Sequence, residues 1–136
     1  MKICNVKGMK TGQPTRNGNI YPREVVERAI GRAIFPMYGR IYTGSASDSK
    51  LGEVSHRVTE MCVDDDDIVV ADIEIVATPQ GNILHQILEQ RQPIYSISAR
   101  LSGYGSTTDN VIDDGFIITH CDIEIEGVPS VAANID

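Results

Sequence analysis

The sequence predicts an α+β domain built on a mostly antiparallel β-sheet or barrel with two or so helices. Three observations carry that expectation. Several segments alternate apolar and polar side chains at the two-residue period of a half-buried strand. Two others repeat apolar residues at three- and four-residue steps, as a helix with one buried face does. The breaks between strands are short or rich in Asp, Gly, Ser and Thr, which favours hairpin-like antiparallel connections. At 136 residues, the chain suits one domain over 1–136, because two would each be too small for a good core.

Taken in order, Ile3 to Val6 alternates and reads as a first strand, followed by a Gly-, Thr-, Pro- and Asn-rich loop over Gly8 to Gly18. A helix begins at Tyr21-Pro22, with Pro22 suited to its first turn. Val25, Val26, Ala29, Ile30 and Ala33 form its apolar face to about Ile34, and Phe35-Pro36 ends it. Gly39 to Gly44 reads as a short strand and Ser45 to Lys50 as a loop. From Val54 a strand carries Val54, His56 and Val58 on its apolar side. Asp64 to Asp67 reads as a solvated hairpin turn, since the spaced ligands and glycine of a calcium loop are missing. Ile68 to Val76 is a strand. Thr78-Pro79-Gln80-Gly81 leads into a short helix over Asn82 to Gln90, with Ile83, Leu84, Ile87 and Leu88 expected inside. Ile94 to Arg100 is a strand with Ser96 and Ser98 on one face, opposite Ile97 and Ala99. A Gly103 to Asp114 loop and a last strand over Phe116 to Ile125 follow, and Pro129-Ser130 is expected to close the core.

Composition removes several functions. Apolar residues at 41% against 23% charged give the balance of a folded globular chain rather than a disordered one. A net charge of −7 repels phosphate backbones, so nucleic acid is not an expected partner. No apolar run reaches the ~18 residues of a membrane span, and Met1-Lys2-Ile3-Cys4-Asn5 opens no signal-peptide core. Neither a membrane nor secretion is expected. Cys4, Cys62 and Cys121 are widely separated and odd in number, which fits three small apolar side chains in a reducing compartment rather than disulfides or zinc. His56, His85 and His120 are too scattered to suggest a metal site. No metal and no cofactor are expected.

Ser98 is the sharpest chemical candidate, late in a strand and just before a Gly-rich loop. A serine nucleophile needs a base to take its proton and donors to hold an oxyanion. Arg100 and the Gly103–Gly105 loop are candidates for oxyanion support. His56 is the one histidine on a plausible inner face, and Asp122 or Glu124 on the last strand could orient it. Each has a plainer reading: Ser98 bonding across the sheet, His56 as a satisfied core histidine, Asp122 and Glu124 as an acidic strand face.

Several segments together resemble the prohead (capsid maturation) proteases of tailed bacteriophages, whose fold is similar to that of the herpesvirus assemblin proteases. They are Arg16-Asn17-Gly18-Asn19-Ile20-Tyr21-Pro22-Arg23 with its helix, Val54-Ser55-His56-Arg57-Val58, and Ile73 through Thr78-Pro79-Gln80-Gly81. Ile97-Ser98-Ala99-Arg100 and the stretch from Ile123 to Ser130 complete the set, in family order across nearly the whole chain. The resemblance implies an assemblin-like fold and maps the family's nucleophile, the first serine of a V-S-S-R-G-like segment, onto Ser98. Arg100 matches the usual arginine, Ala99 and Leu101 replace the second serine and the glycine, and the family's acidic position falls at Asp122 or Glu124.

The family's base is the histidine of a G-E-L-x-H-P-like segment. Here that segment reads Gly39-Arg40-Ile41-Tyr42-Thr43-Gly44, so Thr43 occupies the histidine position. A threonine hydroxyl does not titrate near neutral pH and cannot serve as a general base. Family members often carry a histidine at the position of His56 as well as the catalytic one, so His56 is not thereby a replacement. The chain also stops at Asp136, where these proteases usually continue. The resemblance therefore implies a protease scaffold with a degraded centre: a non-catalytic structural protein of a phage head. It would be a decoration or cement subunit on the capsid, or a prohead scaffold component. Expected partners are the major capsid protein or the prohead scaffold, with an oligomeric or capsid-bound state, located in the virion or prohead after synthesis in the host cytoplasm. The alternative is an active prohead serine protease that trims scaffold and capsid-protein termini, with Ser98 as nucleophile, His56 as base and Asp122 or Glu124 as orienter. A small β-rich binding module unrelated to that family is a third possibility.

Overall fold

The computed structural model describes residues 1–42, 53–89 and 96–126. The elements run β1 (Lys2–Lys10), α1 (Arg23–Arg32), β2 (Met37–Arg40), β3 (Val54–Val63), β4 (Ile68–Ile75), α2 (Pro79–Glu89), β5 (Ser96–Tyr104), β6 (Thr107–Thr108), β7 (Val111–Ile112) and β8 (Ile117–Glu126). The class is the one the alternation implies, α+β with antiparallel ladders and two helices.

β1, β4, β3 and β2 form a four-stranded antiparallel sheet in that order, and β5 pairs with β8 in a separate long ribbon. The two units share one wall. Ile41, just past β2, bridges Ile123 in parallel, and the Tyr42 N–H donates to the Ile123 carbonyl at 2.8 Å. At the other end of the wall β1 packs alongside β5, and the Gly8 Cα comes so near that an added Cβ would lie 3.0 Å from the Ala99 oxygen. The strands thus curve around a core of Val6, Met37, Val58, Val69, Ile73, Ala99, Cys121 and Ile123. Val26 and Ala29 from α1 and Leu84 from α2 complete it.

The first helix follows the apolar spacing closely. Val25, Val26 and Ala29 are buried and Arg32 ends α1, with Pro22 at the N-cap rather than inside the first turn. In α2, Leu84 is fully buried whereas Ile83 is 45% exposed, so the helix is rotated relative to the expected four-residue inner face. α2 also begins earlier than expected because Thr78 caps it: its Oγ1 accepts the Gly81 N–H at 3.0 Å and donates to the Val54 carbonyl. This is the capping geometry that threonine before Pro-x-Gly allows.

Two stretches read as loops contain strand. β1 runs on to Lys10, and the supposed 103–114 loop includes the β6–β7 hairpin, turning at Asp109 and Asn110 with φ of 52° and 65°. The side chain of Asp113 stitches this hairpin through the hydroxyls of Ser106 and Thr108. The Asp64–Asp67 turn is organised by Arg23, whose Nη1 donates to the Asp64 carbonyl at 2.7 Å and to Asp67 Oδ1 at 2.8 Å. Ser45 to Lys50 and Pro129-Ser130 lie outside the described residues.

Candidate functional site

Register places the sequence candidates on two faces. Along β5 and β8, Ser98 lies opposite Glu124 and Arg100 opposite Asp122. Alternate residues of a strand share a face, and directly paired residues share it too. Ser98, Arg100, Asp122 and Glu124 therefore line one face of the ribbon, while Ala99, Cys121 and Ile123 fill the core on the other.

The outer face is charged and only partly roofed. Arg16, in the loop after β1, reaches across to Glu124, Nη1 to Oε1 at 2.9 Å, and Arg100 Nη1 stands 3.8 Å from the second carboxylate oxygen. Tyr42 lies under the Arg100 guanidinium, 4.0 Å from Cζ to the ring centroid, close enough for cation–π attraction. The Arg16 loop is held in shape by the Thr15 N–H bonding to Asn19, by Gly18 at φ 82°, and by Ile20 bonding to Asn110 and Ile112 of the hairpin. Gly18 takes a left-handed conformation that costs other residues strain. Ser98, Arg100 and Glu124 then line a groove of about 630 Å³ that extends to Lys10, Arg16 and Asn17, with Met9, Leu101 and Phe116 as its apolar wall.

Asp122 shares the face but not the groove. It is 3% exposed: Oδ1 accepts the Arg40 backbone N–H at 3.1 Å and Oδ2 stands 3.6 Å from Arg40 Nε. Its carboxylate ties the end of β2 to β8.

His56 is completely buried, on the inward face of β3 with Val54 and Val58. Its Nε2 lies 2.9 Å from the Cys121 carbonyl, and its Nδ1 2.8 Å from Ser55 Oγ. A carbonyl only accepts, so Nε2 carries the proton and Nδ1 accepts from the Ser55 hydroxyl. Burial lowers the His56 pKa, opposed by the Cys121 carbonyl and the Asp122 charge. The neutral ring has one lone pair, and Ser55 occupies it. β8 separates this ring from β5, since β8 takes β5 on one edge and the β2 end on the other. The structure does not bring His56 to Ser98. Of the other histidines, His85 on α2 pairs with Glu89 at 3.0 Å, and His120 bonds the Thr119 hydroxyl at 2.9 Å.

Tyr42 reaches this face by stacking on Arg100; Thr43 lies outside the described residues. Cys121 offers no alternative nucleophile, because burial pushes its thiol up to about 12 and the thiolate is the reactive form. Arg16 and Tyr42 are site residues that sequence reasoning did not single out. Each stood within a quoted motif, but their contacts with Glu124 and Arg100 span 108 and 58 positions.

No family model matches the sequence, and no curated protein matches it. Among solved structures, the bacteriophage T4 capsid assembly protease, gp21, superposes with a TM-score of 0.68 at 16% identity, over 90% of this chain and 80% of that one. The fold is similar to that of a capsid assembly protease. That likeness agrees with the motif resemblance on the fold, and at this identity it speaks to the fold alone.

Proposed function

We propose that this chain is a non-catalytic member of the prohead-protease scaffold that serves a phage head as a structural component. It would act as a capsid decoration or cement subunit, or as part of the prohead scaffold. The observation that carries the reading is the separation of the candidate nucleophile from the candidate base. Ser98 stands on the outer face of the β5–β8 ribbon, while the His56 ring lies beyond β8 with both nitrogens engaged. Thr43, at the family's base position, cannot accept the serine proton. Loss of a triad base leaves several orders of magnitude less rate. The T4 neighbour, described as a capsid assembly protease, supports a role tied to phage head assembly. Partners on this reading are the major capsid protein or the prohead scaffold, and the protein resides in the prohead or virion.

The second reading is an active prohead serine protease. One observation favours it: Ser98, Arg100 and Glu124 remain together at the mouth of an open groove.

Incubation with the capsid precursor of the same phage, beside Ser98→Ala, separates the two. The non-catalytic reading expects identical, uncut bands and no labelling of Ser98 by a fluorophosphonate. Cleavage or labelling lost in Ser98→Ala would establish the enzyme instead.

A further inference from the structure

Four of the six large apolar or aromatic side chains that stand exposed among the described residues gather at one end of the wall formed by β2, β8 and β5. They are Ile34, Tyr38, Tyr104 and Ile117, each between 51% and 85% exposed. Register brings them together. Tyr104 of β5 pairs with Ile117 of β8. Ser102 pairs with His120 and Gly103 with Ile118, so Thr119 is the extra residue of a bulge on β8. β5 keeps its alternation through that point, and Tyr104 therefore shares the outer face with Ser98 and Arg100. On the other flank of β8, Ile41 bridges Ile123 and Gly39 lies hard against the Cys121 carbonyl. Tyr38 thus stands beside the bulged stretch of β8, on the outer face it shares with Arg40. Ile34 follows α1 at the same end, where Arg32 donates to the Phe116 carbonyl at 2.7 Å. Charged neighbours at the border are matched: Arg57, opposite Tyr38, pairs with Glu74, and Arg28 pairs with Asp114.

We infer that this patch is the contact surface for a second copy of the chain, in a two-fold dimer. Four side chains of this size and exposure present on the order of 500 Å², the upper range for the largest apolar patch of a soluble monomer. In an isologous contact the same patch is covered on both copies. The total is then on the order of 1,000 Å², the low end for a specific protein contact, which corresponds to a dissociation constant of roughly 10–100 µM. Tyrosines suit such a surface, since the ring is buried while the hydroxyl reaches water at the rim. Two bodies of net charge −7 repel, and this uncharged patch lets them meet without opposing carboxylates. A strongly charged partner would find no group to pair with among these four side chains. The contact goes beyond the proposed function and does not depend on whether Ser98 cuts.

Sedimentation equilibrium of the full chain over about 5–500 µM, at low and high salt, tests the inference. Screening of the mutual repulsion is expected to tighten the dimer at least twofold in high salt, where a contact made by ion pairs would loosen. Tyr104→Ser and Ile117→Thr are each expected to weaken it at least fivefold, and the double variant to stay monomeric. Both positions are exposed, and thermal midpoints of the variants separate lost association from lost folding. Ile83→Thr, which removes an exposed side chain from α2, should dimerise as the parent does. Dilution should shift the amides of Tyr38, Tyr104 and residues 117–120, and leave those of α2 in place. A monomer at every concentration overturns the inference. So do a dimer that salt loosens, a dimer that Ile83→Thr weakens as much as Ile117→Thr, or amide shifts confined to other strands. A monomer that instead binds prohead shells through Tyr104 overturns it too, because the occupant is then the shell. Ser98-dependent cleavage by a dimeric parent sinks the non-catalytic reading and leaves this contact standing.

Discussion

His56 shows how a single imidazole can be recruited into architecture. Its Nε2–H donates to the Cys121 carbonyl and its Nδ1 accepts from Ser55, so the ring joins β3 to β8 across the core. Burial lowers its pKa below the ordinary 6.5, which means the unfolded chain binds this proton more readily than the folded one. Stability from this group is therefore complete above about pH 6.5 and is lost as pH falls toward the depressed folded value. Urea unfolding at pH 7.5 and 5.5 is expected to show an acid loss in the parent that exceeds that of His56→Gln by on the order of 1 kcal/mol. An equal loss in both proteins would mean the ring is not held neutral. The residue's place on an apolar face was legible in the alternation of Val54, His56 and Val58. Its partners were not, because one is a backbone carbonyl 65 positions away. The Arg40–Asp122 contact spans 82 positions, and no local pattern reports it.

Single glycines and caps decide how the elements meet. Gly39 on β2 has no room for a side chain, since an added Cβ would collide with the Cys121 carbonyl and the His56 ring. The obstruction on one side is backbone, which does not yield as a flexible side chain does. Gly39→Ala is expected to destabilise the fold by ~3 kcal/mol, at the upper end of overpacking costs, seen as a clear fall in thermal midpoint. An unchanged midpoint would show that β2 shifts freely. Thr78→Ala removes the cap of α2 and leaves the buried Gly81 N–H without its side-chain partner, with an expected cost of about 1–2 kcal/mol in denaturant titration. Thr78→Ser should recover most of it. The helical spacing in α1 was readable because its buried face repeats at regular steps. The β6–β7 hairpin escaped notice because its strands, Thr107–Thr108 and Val111–Ile112, are two residues each, too short to display an alternation. Asp109-Asn110 was the available signal, as both residues tolerate the left-handed turn they occupy.

At the scale of the molecule, the wall of strands is joined unevenly. On its β8 side it is fastened to β2 by the Tyr42–Ile123 hydrogen bond and the Asp122–Arg40 contact, and to β3 by the His56 bridge. Between β1 and β5 close packing stands in for a ladder among the described residues. Native-state hydrogen exchange is expected to be slow in the central β3 and β4 amides and fastest, within strands, along the β1 and β5 edges that face each other. Uniform protection across both edges would contradict that. The fold was legible as a sum of strands and helices, but the meeting of β1 with β5 was not, because sequence alternation reports a strand's buried face and says nothing about its edges. Those edges can be parted with each flanking row of ladder hydrogen bonds left whole. A local opening there therefore stays local, and its strain ends before it reaches the fastened side.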